Sequence, residues 1–127
     1  MGLQPILEAA YARLRIPFAL SEVHVIGTER ERARWMLQRF ADAEAVAKRG
    51  VPITAFGAWA AFGMVDWTSL MCERNAHTED GVYTWAGADG VPQPTMVAGV
   101  VSELAAGRTP QMPAEDGWWE RDRRAVA

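Results

Sequence analysis

The chain has 127 residues, half of them apolar and 23% charged, which suits one globular domain and argues against a disordered, collagenous or membrane-embedded chain. Thirteen Lys and Arg are interleaved with sixteen Asp and Glu for a net charge of −3, so no phosphate-tracking surface is implied and nucleic acid is not an expected partner. The lone Cys72 excludes an internal disulfide framework and a Cys-rich zinc site; with no leader-like start and no bilayer-length apolar run, the sequence reads as cytoplasmic, with no membrane partner.

Leu3, Ile6, Leu7, Ala10, Tyr11 and Leu14 fall on one stripe of a helix that ends before Pro17. Phe18 to Ile26 reads as a strand, being short, rich in Val23, Val25 and Ile26, and preceded by a proline. Alternation puts Phe18, Leu20, Glu22, His24 and Ile26 on one side, a carboxylate and an imidazole within an apolar set. Thr28-Glu29-Arg30-Glu31 has the form of a capping box and predicts a helix start. That helix continues through Ala33, Met36, Leu37, Phe40, Ala43 and Ala47, gains Glu44 and Lys48 as an i, i+4 pair, and stops at Gly50. Trp35 and Val46 project from its opposite side, either as scattered surface hydrophobes or as a contact with an element outside this chain.

Ile53 to Phe62 is the second strand, nearly all apolar and rich in Ala and Gly, as expected of a strand buried on both faces in a parallel sheet. Residues 63–80 show no sustained period and read as a long irregular excursion, of a length that usually carries function or disorder. Gly81 to Trp85 reads as a short strand and Ala88-Asp89-Gly90 as a turn. Pro94-Thr95 opens a last helix with Val97, Val100, Val101 and Leu104 on one face, stopped by Gly107. Residues 107–127 read as a linker or tail. The order helix, strand, helix, strand, loop, helix is the α/β alternation of a parallel sheet with crossover helices. An eight-stranded β/α barrel needs roughly 250 residues, about twice this length, and a doubly wound sheet would show a Gly-rich phosphate turn that the sequence lacks. The chain reads as part of a larger fold.

In parallel β/α units ligands bind at the carboxyl ends of the strands. Glu22 and His24 close the first strand, Trp59 lies near the end of the second, and Asp66-Trp67 follows on the long loop, so all five can reach one rim. A carboxylate beside indole rings suits a sugar: the ring stacks on the apolar face of the pyranose, and the carboxylate accepts hydroxyl hydrogen bonds or attacks the anomeric carbon. Plainer roles stay open. Glu22 can pair with an arginine, His24 can be a satisfied core histidine, and Trp59 and Trp67 can be core aromatics, although Asp66 makes burial of its neighbour costly unless it is hydrogen-bonded. His77 reads as a surface residue and Cys72 as an inert small hydrophobe. No His-x-x-x-His or Glu-x-x-His spacing occurs, so no metal site is expected.

These residues carry a resemblance. Leu20-Ser21-Glu22 is similar to the strand that ends in Thr-Glu-Asn-Gly in family-one glycoside hydrolases, the β-glucosidase type. Gly50-Val51-Pro52-Ile53-Thr54-Ala55-Phe56-Gly57-Ala58-Trp59 is similar to that family's Gly-Val-x-Val-x-Gly-Tyr-x-x-Trp strand. Trp59 with Asp66-Trp67 keeps the spacing of its Trp-Ser-Leu-Leu-Asp-Asn-Phe-Glu-Trp motif, and Gly81-Val82-Tyr83 resembles the later Phe-Gly-Leu-Val-Tyr strand. Residues 1–106 therefore resemble the C-terminal strands and helices of a TIM-barrel-like fold, a partial β/α barrel, with 107–127 beyond it. The resemblance implies that Glu22 stands in the nucleophile position and that Trp59, Asp66, Trp67 and His24 touch substrate. Two departures stand out: Val23-His24 replaces Asn-Gly after the nucleophile, and Asp66 is one carbon shorter than the family's glutamate.

A retaining glycosidase needs two carboxyls about 5 Å apart. The family's acid/base lies on an earlier strand with no counterpart here, so hydrolysis is expected only where the upstream part of the barrel completes the site, and the chain is otherwise expected to self-associate. The Ser-Glu-Val-His variant and the ending Gly117-Trp118-Trp119 resemble a subgroup joined to a dTDP-4-dehydrorhamnose-reductase-like domain. A carbohydrate or nucleotide-sugar binding module beside such a domain is the alternative to an enzyme, and an inactive remnant is the third possibility. No Gly-x-Gly-x-x-Gly occurs, so no dinucleotide or other cofactor is expected.

Overall fold

The N-terminal apolar stripe folds as α1 (Leu3–Leu14), which ends where Arg15 takes a left-handed backbone and its amide donates to the Tyr11 carbonyl. The computed structural model describes residues 2–85 and 89–124; Ala88 of the expected turn lies outside them. After α1 come β1 (Phe18–Val23), α2 (Glu29–Lys48) and β2 (Ile53–Ala58). The two strands pair in parallel with α2 as the connecting helix, which makes β1-α2-β2 the expected β/α unit. Thr28 and Glu31 form the capping box, each side chain accepting from the other residue's amide. Gly50, at φ 93°, supplies the left-handed step that turns the chain into β2.

The strands differ from the expectation in length and in phase. β1 stops at Val23 rather than Ile26, and β2 at Ala58 rather than Phe62. Leu20 pairs with Phe56 but Val23 with Ala58, so one extra residue is accommodated on β1. Such an irregularity reverses the alternation. Phe18 and Leu20 face the core, Val23 rejoins it, and Glu22 is exposed instead of sharing their side.

Two apolar clusters hold the unit. Val23, Ala33, Met36 and Leu37 pack with Val97 and Val100 of α3 (Met96–Ala105), a helix opened by Thr95 accepting from the Val97 amide. Leu7 of α1, Val46 of α2 and Val51 form the second cluster. Val46 is fully buried there, and Trp35 packs edge-on against Trp119 at 5.0 Å, so both residues expected on an uncovered helix face are covered from within the chain. The expectation of a strand buried on both faces is also corrected. Ala55 of β2 and its partner Ala19, with Ser21 of β1, are exposed, because helices cover one face of the pair only.

The excursion after β2 contains a small antiparallel pair, β3 (Met64–Val65) and β4 (Thr78–Glu79), with a 3-10 turn at Trp67–Ser69 between them. Tyr83, in the segment read as a short strand, makes single bridges to Phe62 and Pro94. Asp89-Gly90 turns as expected, with Gly90 at φ 77°. Within 107–127, α4 (Trp118–Arg124) packs back on α2. Arg34 grips Glu120 through two hydrogen bonds of 2.6 and 3.1 Å and takes the Pro113 carbonyl at 2.7 Å. The described residues thus form a mixed α/β structure of four helices and two two-stranded sheets, in which no barrel is closed. Among them, no helix is long and apolar enough to cross a membrane.

Candidate functional site

Parallel pairing brings the carboxyl ends of β1 and β2 to one end of the unit, where the Trp59 amide donates to the Val23 carbonyl at 3.2 Å. Glu22 stands one residue before that end and His24 one residue after it. Trp59 follows β2 directly. The Trp59 ring lies 6.2 Å from the His24 ring, nearly perpendicular to it, and 5.3 Å from Trp67. His24, Trp59 and Trp67 therefore form one aromatic cluster on top of the strand ends.

Asp66, next to Trp67 in sequence, organises the loop. It is buried, and its carboxylate accepts the backbone amides of Asn75, Ala76 and His77 at 3.1, 3.2 and 2.8 Å. Its own amide donates to the His77 carbonyl at 2.7 Å. These contacts close residues 66–77 into a loop and place Trp67 beside Trp59. A carboxylate adjacent to a half-buried indole is satisfied here by the backbone, which is how its burial is tolerated.

Glu22 is exposed and lines a cavity of about 290 Å³ with Ala19, Leu20, Trp35 and Arg39. The Arg39 guanidinium lies 4.4 Å over the Trp35 ring and pairs with Asp42 at 2.9 Å, which fixes that wall. A larger cavity of about 430 Å³ opens between the β1–α2 turn and the end of β4, lined among others by His24, Arg32, His77, Glu79, Asp80 and Thr84. His24 lines both. The structure thus joins His24, Trp59 and Trp67 and ties the Asp66 loop to its own backbone, whereas Glu22 lines a separate cavity with Trp35 and Arg39 in which neither Trp59 nor Trp67 takes part.

The larger cavity holds residues that sequence reasoning missed. The Glu79 carboxylate lies between two imidazoles, with Oε2 at 3.6 Å from His24 Nε2 and Oε1 at 3.6 Å from His77 Nε2. Arg32, with only 9% of its side chain exposed, donates to the Asp80 carbonyl and lies 3.7 Å from the Asp80 carboxylate. Burial pushes the His24 imidazole below its ordinary value of 6.5; Glu79 opposes this and the Arg32 charge adds to it. One signal was available in the sequence: His77 and Glu79 are two residues apart at a strand, which places both on the same face. Among the described residues, no group of three His, Cys, Asp or Glu is arranged to hold a metal ion.

Comparison of the chain with protein-family models, with curated proteins and with solved structures finds no match.

Proposed function

We propose that the chain is the C-terminal part of a glycoside-hydrolase-like β/α barrel of the β-glucosidase type, and that its strand ends are one side of a sugar-binding rim. The observation that carries this reading is the parallel pairing of β1 with β2, which sets Glu22 and Trp59 at the carboxyl ends of adjacent strands. That is where parallel β/α folds bind ligands. The exposed second face of the pair, with Ala19, Ser21 and Ala55, suits further strands or a barrel interior. The free, exposed Cys72 suits the reducing cytoplasm that this reading assumes.

In this reading Trp59 and Trp67 receive the apolar face of the pyranose, His24 orients Trp59, and Asp66 positions Trp67 through the loop it ties. Glu22 attacks the anomeric carbon. A second carboxyl about 5 Å away must protonate the leaving oxygen and later activate water. The resemblance puts that acid on a strand other than β1 and β2, so turnover belongs to a longer polypeptide that supplies it. The test is hydrolysis of chromogenic β-glycosides by such an extended protein. Glu22→Gln is expected to abolish it, and unchanged turnover in that variant removes Glu22 from the mechanism.

A second reading, saccharide or nucleotide-sugar binding without turnover, is favoured by Glu22, which the extra residue on β1 turns towards a cavity that neither Trp59 nor Trp67 lines. Saturable sugar binding by the extended protein with no hydrolysis supports this reading over the first.

A further inference from the structure

We infer that the cavity between the β1–α2 turn and the end of β4 is a separate binding site for a neutral, polyhydroxylated ligand of about monosaccharide size. Its volume of about 430 Å³ lies within the usual span of small-molecule sites. The site is built rather than incidental. Arg32 is nine-tenths buried at its wall, and among the described residues its Nε has no hydrogen-bond partner. Glu79 Oε1, also buried, has none either, since His77 stands off at 3.6 Å. A donor and an acceptor without hydrogen-bond partners, both sealed just behind the wall of one cavity, are an uncommon pair in a folded protein.

The charges around the cavity select the ligand. One guanidinium faces the carboxylates of Glu29, Glu79 and Asp80, so an anion would meet an excess of negative charge. A metal ion lacks a suitable ligand set among the described residues, and Arg32 already supplies positive charge at the wall. A hydroxyl both donates and accepts, so adjacent hydroxyls of a polyol can donate to Glu79 and accept from an imidazole. His77, half exposed, covers Glu79 and needs only a side-chain rotation to admit such a group. The inference stands apart from the reading of Glu22 and Trp59, although His24 borders both sites.

The test is an NMR titration of the full chain with methyl β-glucoside, following the His24 and His77 imidazole resonances, with sodium sulfate and magnesium chloride as parallel probes. Saturable shifts in the millimolar range are expected with the glucoside alone. Glu79→Gln is expected to weaken binding about tenfold, the loss of one charge-assisted hydrogen bond. His77→Ala, at a half-exposed position, is the second variant if the first fails to fold: it is expected to shift the glucoside midpoint read at His24, and an unchanged midpoint overturns the inference. Trp67→Ala and Glu22→Gln leave the titration of His77 unchanged, which separates this site from the rim. Absence of saturable shifts, tighter saturation by sulfate or magnesium, or loss of the His77 response in the rim variants overturns the inference.

Discussion

Glu120→Ala should release α4 from α2, and the size of the effect can be worked from the contacts. Glu120 accepts both arms of Arg34 at 2.6 and 3.1 Å, the Gln38 amide at 2.9 Å and the Gly117 backbone amide at 2.9 Å. The Arg34 guanidinium foremost, together with these donors, holds the Glu120 carboxyl at about 2 against an ordinary 4.5. That difference corresponds to about 3 kcal/mol at most. The two side chains keep 14% and 26% of their exposure, so solvent screening reduces the figure to about 2 kcal/mol. If α4 unfolds with the rest, Tm should fall by about 6–10 °C. If α4 peels away first, the same free energy gives a roughly 30-fold faster tryptic cut after Arg121, because cleavage follows the open population. Glu115→Ala is the control, since the Arg30–Glu115 pair is largely exposed and should change stability by about 0.5 kcal/mol or less. The sign with pH is fixed. The folded carboxyl is held below its unfolded value, so its stabilisation is whole above pH 4.5 and fades as pH falls towards 2. Equal melting and equal proteolysis of Glu120→Ala and Glu115→Ala would refute the reasoning.

Three further outcomes are expected elsewhere in the molecule. The folded His24 imidazole is held below 6.5, so its contribution is whole above that value and is lost as pH falls below it; urea melts at pH 7.5 and 5.5 should therefore differ less in His24→Gln than in the parent chain. Asp66→Asn keeps the left-handed backbone at this position but removes the charge that three amides share, so stability should fall by about 1–3 kcal/mol with loss of hydrogen-exchange protection at Asn75, Ala76 and His77; unchanged protection would contradict the role given to Asp66. The chain exposes 8283 Å². A compact monomer of its mass would expose about 6,700 Å², an excess of about 1,600 Å² that is about twice what one partner contributes to a standard protein interface. Concentration-dependent sedimentation is therefore expected, and a sharply melting monomer at all concentrations would contradict it.

What could be read from the sequence was local. The stripe of α1, the Thr28–Glu31 capping box, the left-handed Gly50 and the Thr95 cap all act within a few residues, and each stands where periodicity and capping chemistry put it. The parallel pairing also followed, because a 20-residue helix between two short apolar strands leaves few other arrangements. What failed depends on distant partners. The extra residue between Leu20 and Val23 has no signature within β1 itself; across the pair, a side chain at Gly57 would press on the Ser21 carbonyl at 3.1 Å, a crowding visible only once the strands are paired. That one residue moves Glu22 off the face expected for it. The covering of Trp35 by Trp119 was hidden because Pro110 and Pro113 made the last segment read as a linker, although Glu120 three residues after Gly117 is placed to accept its amide. The His24–Glu79–His77 arrangement joins the end of β1 to a hairpin far along the chain, and only the shared face of His77 and Glu79 could have hinted at it.

Tryptophan fluorescence tests most directly whether the strand ends of β1 and β2 form the proposed saccharide rim. Titration with methyl β-glucoside, read against Trp59→Phe and Trp67→Phe, should give a saturable change in the parent chain that each substitution diminishes, because these rings sit 5.3 Å apart at the proposed floor. A response of the same size and midpoint in all three proteins, or no saturable response in the parent chain, would contradict the assignment of this end of the fold to sugar.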